Sequence, residues 1–303
     1  MINKVGLYLI IGVCLICAQN DSSKQEQDKW KVDINSNIAL SWNYYGENWT
    51  GEELSSFAWT AKYNTVLEKQ LARILSNKNT FKLAYGQTKL QQKDSTGEKN
   101  WLDFEKSTDL IVLESVLRFT LKASVDPYIG FRLISQFYDA RDSLQARTVN
   151  PVELTESVGA VRSLVNNDNV NWDARLACAA RQTVDRFKAR DDWTTNDGGL
   201  EFVTGFKATN KDSWWTLSSD LKIYEALFIS KKDEDTTSNW RYPDINWENS
   251  LTINLNKFIM LNWYMQLLYD KQVDVNPQTA ELDSGARFKN TLSLGFTFNY
   301  KNY

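Results

Sequence analysis

The chain has no histidine among its 303 residues. That removes the imidazole that most often activates a serine or cysteine nucleophile. It also removes the commonest ligand of zinc and copper sites. Cysteine is almost as scarce, and two of the three, Cys14 and Cys17, lie near the amino terminus. If residues 1–18 are removed on export, Cys178 stands alone and no disulfide framework can staple the fold. Only 4 prolines and 13 glycines interrupt the chain. No basic tract occurs and the formal net charge is −3, which argues against nucleic acid as a partner. Beyond Cys17 no apolar run approaches the roughly 20 residues of a membrane helix.

The amino terminus carries an export signal. Lys4 precedes an apolar run from Val5 to Cys17, the layout of a secretory signal peptide. Cleavage is expected after Ala18. Lys4 is the only charge in residues 1–18, so its loss moves the formal charge from −3 to −4. Residues 19–29, "QNDSSKQEQDK", read as a disordered periplasmic lead-in, and residues 30–303 as one domain.

What the chain has is aromatics, with 12 Trp, 13 Tyr and 14 Phe, beside a mean hydropathy of only −0.47. Period-two alternation reconciles the two. In "KVDINSNIALSWNYY" one phase reads Val32, Ile34, Ser36, Ile38, Leu40, Trp42, Tyr44, and the other Lys31, Asp33, Asn35, Asn37, Ala39, Ser41, Asn43. A strand separates these sets; a helix would mix them. The same scheme predicts strands near 31–45, 53–68, 79–90, 106–123, 126–139, 153–165, 170–186, 198–209, 213–230, 246–256, 257–270 and 286–300. "ELTESVGAVRSLV" at 153–165 alternates poorly, and "QLARILSNK" after the second strand reads as a helical turn. Connections after odd strands are long and polar, such as "QQKDSTGEKNWLDFE" and "SKKDEDTTSNWRYPD". Those after even strands are mostly short.

Together these features predict an all-β fold, a transmembrane antiparallel up-and-down β-barrel of about twelve strands. Low average hydropathy fits alternate residues facing lipid and lumen, and the loop asymmetry fits a bacterial outer membrane. Closure is required because backbone groups at an open edge would have no partner in hydrocarbon.

Two stretches carry resemblances. Ser293, Gly295, Phe298 and Tyr300 follow the order polar, any, glycine, two of any, aromatic, any, aromatic. This resembles the carboxy-terminal assembly signal of bacterial outer-membrane barrels, departing from it by the extra Lys301-Asn302-Tyr303. It implies the barrel assembly machinery as a partner during biogenesis. "NWTGEELSSFAWTAKYN", Asn48 to Asn64, resembles the opening of Bacteroidota-type barrels in the uncharacterised family called domain of unknown function 3078. That likeness implies an outer-membrane location and transfers no catalytic residue.

Alternation assigns to the lumen Lys62, Lys82, Glu114, Arg118, Lys122, Arg132, Asp173, Arg175, Arg181, Asp185, Lys207, Asp220, Lys222, Glu248 and Arg287. A cation facing lipid at mid-depth would cost about 2–4 kcal/mol. These groups either pair across the lumen and brace it, or line a wetted path for solutes. Trp42, Trp172, Trp215 and Trp247 fall near strand ends on the outward phase, as an interfacial belt requires. Trp49, Trp101, Trp193 and Trp240 lie in long loops, where they stack on glycans or pack the loops together. The acids Asp191-Asp192 and Asp233-Glu234-Asp235 lack the spacing of a calcium loop. No cofactor, metal site or catalytic residue is expected. Outer-membrane hydrolases built on a Ser–His pair cannot run here, so an enzyme is disfavoured. The expected function is porin-like passage of small solutes, with a non-conducting structural or ligand-binding barrel as the alternative.

Overall fold

A computed structural model describes residues 29–46, 53–95, 97–121, 123–139, 146–186, 194–230, 239–271 and 286–302. The expected signal peptide and nearly all of the expected lead-in lie outside them. Twelve long strands form the wall: β1 (Lys31–Asn43), β2 (Ser56–Ala72), β3 (Leu75–Lys93), β4 (Glu105–Phe119), β5 (Asp126–Ser135), β6 (Val152–Asn166), β7 (Val170–Val184), β8 (Thr194–Thr209), β9 (Trp215–Ile229), β10 (Asp244–Asn254), β11 (Ile259–Tyr269) and β12 (Ala286–Lys301). Each pairs antiparallel with the next, and β12 pairs antiparallel with β1. The sheet is therefore a closed barrel with no free edge.

At the seam Ile34 lies opposite Tyr300, and Ala39 opposite Gly295. A Cβ on Gly295 would sit 2.5 Å from the Ile38 carbonyl oxygen. Only a hydrogen fits there, so the glycine sets how closely the first and last strands approach.

The molecule is apolar outside and polar within. Along β12, Leu292, Leu294, Phe296 and Phe298 are 53–63% exposed, while Ser293 and Thr297 between them are 9% and 6% exposed. Ile38, Val158, Leu176 and Leu227, on four other strands, are likewise more than half exposed. Water does not tolerate so large a continuous apolar surface; hydrocarbon does. The fold is a transmembrane barrel, and the strands' length suits it, since a tilted strand needs about 9–11 residues to cross.

Two sequence expectations are corrected, the helical turn after β2 and the end of the fifth strand, and the weakest expected strand is borne out. No helical turn follows β2: Arg73 and Ile74 make a tight turn, and strand pairing resumes at Leu75. The poorly alternating stretch is the strand expected there, 15 residues long, β6. Its pattern is blurred because Glu156 and Arg162 face outward, while Val161 points inward and is 5% exposed. The fifth strand also ends four residues early. Past Ser135 the Asp109 carboxylate accepts hydrogen bonds from the backbone N–H groups of Phe137 and Tyr138, at 2.5 and 2.9 Å, and turns the chain out of the sheet.

The long connections knit one mouth of the barrel. Asn150 is fully buried; its Nδ2 donates to Asp139 at 2.7 Å and to Asp185 at 3.1 Å, and its Oδ1 accepts from the Arg186 backbone N–H at 2.9 Å. This ties the connection after β5 to the end of β7. A short turn, Asn239–Arg241, places Trp240 against Ala179, Tyr224, Ala226 and Ile229. Trp240 thus packs into the mouth and offers no exposed face to a glycan. Trp101 lies in a short strand, Lys99–Trp101, that extends the β3 edge. Trp49, Trp193, Lys122 and both acidic loop runs lie outside the described residues.

Candidate functional site

Strand register decides which side chains meet in the lumen. Starting from the polar phase of β1, Lys62 is opposite Asn37, Glu114 opposite Arg132, and Asp220 opposite Glu248. Lys82, Arg118, Asp173, Arg175, Arg181, Lys207, Lys222 and Arg287 fall on the same inward phase of their strands.

The structure gathers them into groups. On the β4–β8 side, the Arg132 guanidinium lies 3.7 Å from Glu114 Oε1 and bonds Glu201 of β8. Arg175 Nη2 donates to the same Glu114 oxygen at 3.0 Å, and its guanidinium stands 5.7 Å from the Tyr128 ring. Arg132 and Glu201 are both buried. Charges so far from water persist only because each has a hydrogen-bonded counter-charge. Small residues make the room: Ala177 is the direct neighbour of Glu201, and Gly130 lies two residues from Arg132.

Nearer the long-loop mouth, Arg181 holds Asp197 at 3.0 Å and Asp244 at 2.6 Å. Its guanidinium lies 4.4 Å from the Tyr224 ring, whose hydroxyl donates to Asp197. Towards the other end, Arg118 pairs with Asp126 at 2.6 Å and donates to Ser163, which donates to Asp173 at 2.7 Å. Asp185 belongs to the Asn150 knot instead of the lumen wall.

Other contacts span the lumen. Lys82 Nζ on β3 lies 3.5 Å from Asp220 Oδ2 on β9, halfway round the ring. Lys222 reaches Glu153 at 3.8 Å, Lys207 reaches Asp33 at 3.4 Å, and Lys289 donates to Thr108 at 3.1 Å. Lys62 sits 4.3 Å from the Tyr264 ring centroid.

These contacts fix the cross-section. A circular ring of twelve tilted strands would be about 24 Å across. A lysine reaches about 6 Å from its backbone and an aspartate about 4 Å, so the β3 and β9 walls stand within about 14 Å of each other. The lumen is oval. Its other half, from β10 round to β3, is lined largely by amides and hydroxyls: Asn262 donates to Ser250 and Thr252 at 2.9 Å each, and Gln266 to Asn246 at 3.0 Å. Glu248 accepts from Asn246 at 3.1 Å.

Several acids of the lumen escape sequence reasoning. Asp33, Asp126, Glu153, Asp197, Glu201 and Asp244 all oppose the basic residues named from alternation. Glu201 shares the parity of Lys207 and was findable on that ground. Asp197 and Asp244 sit just outside the expected strands, whose true starts are Thr194 and Asp244.

No family model matches the chain, and no curated protein matches its sequence. Among solved structures it is similar to an outer membrane channel from Pseudomonas putida F1, with 12% identity, 94% of this chain and 100% of that chain covered, and a TM-score of 0.44. It is similar to the translocator domain of the autotransporter NalP from Neisseria meningitidis, with 10% identity over 98% of this chain and 94% of that one, at a TM-score of 0.34. An anion-selective porin from Comamonas acidovorans shows 9% identity over 90% and 99% of the two chains, with a TM-score of 0.33.

Proposed function

We propose that this chain is an outer-membrane channel for passive passage of small solutes through a narrow, oval lumen belted by ion pairs. One observation carries the reading. The Lys82–Asp220 pair bridges opposite walls, yet its side chains remain 37% and 53% exposed. The lumen therefore leaves room for water at a level where the walls are close, and a wetted constriction passes small solutes while excluding large ones. Acidic and basic groups are interspersed along the belt, which favours weak ion selectivity.

The outer-membrane location rests on the apolar outer wall, the export signal and the contrast between long and short connections. The seam position of Gly295, with Ser293 facing inward and Phe298 and Tyr300 facing outward, supports the proposal that this stretch is also read by the barrel assembly machinery. Kinship with domain of unknown function 3078 rests on the Asn48 stretch, whose first residues lie outside those described. Absence of histidine favours a non-enzymatic role.

The alternative, a silent barrel braced from within, is favoured by the Arg132–Glu114–Glu201–Arg175 network. Planar bilayers separate the two. Purified, refolded protein should give discrete, reproducible conductance steps. A folded barrel that inserts without conducting would overturn the channel reading and leave the braced barrel.

A further inference from the structure

The outer wall carries a recess that the channel reading does not use. At Ser36 and Ala61 the outward rows drop to small side chains. Ile38, Tyr63, Tyr85, Phe296, Phe298 and Phe137 stand up around them and enclose a groove of roughly 490 Å³. Five of the six belong to β1, β2, β3 and β12. Phe137 arrives from the connection after β5, crossing the outside of β4 to meet Tyr85 edge-on at 6.1 Å between ring centroids. A dedicated polar clamp holds it there. Asp109 accepts from the Phe137 and Tyr138 backbone, and Lys106 lies 3.1 Å from Asp109 while donating to Gln136 at 2.9 Å.

We infer that an anionic membrane lipid binds this groove, with an acyl chain over Ala61 and its phosphate at Lys89. Lys89 shares the outward phase of Tyr85 on β3 and lies four residues nearer the long-loop rim, about 14 Å along the strand. Gln87 sits between them, 3.4 Å from the Tyr85 hydroxyl. The Lys89 ammonium stands 5.4 Å from the Phe104 ring and has no carboxylate within 4.0 Å among the described residues. The order from mid-wall to rim is thus apolar recess, amide, cation, which matches acyl chain, ester region and phosphate. Hydrocarbon is the medium at that depth, and basic residues near a membrane surface attract anionic headgroups. A protein partner or a second copy would need a broader complementary face.

The inference rests on the outer-membrane reading but not on conduction. Its test is native mass spectrometry of the full chain, exchanged out of vesicles of phosphatidylcholine containing a minority of phosphatidylglycerol. The wild type should retain one phosphatidylglycerol through detergent activation. Ala61→Phe, which fills the recess, should lower retained lipid at least tenfold, with heat-modifiable gel mobility as the check on folding. Lys89→Gln should keep a lipid but bring its headgroup ratio to that of the vesicle. Equal retention by a folded Ala61→Phe variant, or an unchanged headgroup preference in Lys89→Gln, overturns the inference. Should Ala61→Phe not fold, the Lys89→Gln arm decides alone. A barrel that is silent in bilayers yet retains the lipid would refute the channel and leave this site standing.

Discussion

Lys82 and Asp220 are 138 residues apart in the chain, yet their charged ends lie 3.5 Å apart inside the barrel. Their strands are six places apart in a ring of twelve. The contact therefore measures how closely the β3 and β9 walls approach and marks a level where a solute has little room.

Neutralising this pair should open the passage without weakening the wall. Both side chains are more than a third exposed, and such pairs contribute about 0–1 kcal/mol. Asp220→Asn is expected to raise single-channel conductance, with a change in urea-unfolding stability below about 1 kcal/mol. The gain should shrink at high salt, where screening already loosens the wild-type pair.

The buried network should behave in the opposite way. Arg132→Leu leaves Glu201, which is 2% exposed, without its counter-charge. Removing one partner of a buried pair costs about 3–5 kcal/mol. Glu114 keeps Arg175, so the added change Glu201→Leu should recover most of the loss. Urea titrations of the single and double variants refolded into vesicles would check both steps.

Gly295 offers a test of closure. Valine there would force its Cβ to within 2.5 Å of the Ile38 carbonyl oxygen, so the backbones must part. Gly295→Val is expected to lose the heat-modifiable band on gel electrophoresis. Gly46, with nothing within 4 Å of a built Cβ, should accept alanine unchanged.

Cys178 reports the medium outside the wall. It is exposed, and its neighbours Ala177 and Ala179 point inward at 4% and 7% exposure, so the thiol faces outward. In vesicles an uncharged, lipid-soluble maleimide should label it and a charged one should not. Unfolding should make both reagents equally effective. Labelling of the folded protein by the charged reagent would contradict a hydrocarbon surround.

Alternation made most of the wall legible in the sequence, because side-chain direction in a strand is a local property. All twelve strands stand where aromatic and polar phases separate. The separation is weakest at β6, which is a strand as expected, and the one misread element is the turn between β2 and β3. β6 carries Glu156 and Arg162 on its outer face, and β2 runs into β3 through a turn whose apolar residues imitate a helix. The lumen was legible as a set of charges but not as pairs. Lys207 meets Asp33 and Arg132 meets Glu201 only because ring closure and the oval section bring distant strands together. The outer groove was hidden for the same reason, since Ala61 and Phe137 reveal nothing until β4 is crossed from outside.

The seam has a further consequence, for the order of events in a cell. Because β1 hydrogen-bonds to β12, the first strand of the barrel waits for the last before its outer row of amides is satisfied. A chain halted before residue 286 would carry a naked strand edge that invites cross-pairing with other proteins. The ring therefore cannot shut until β12 is present to meet β1.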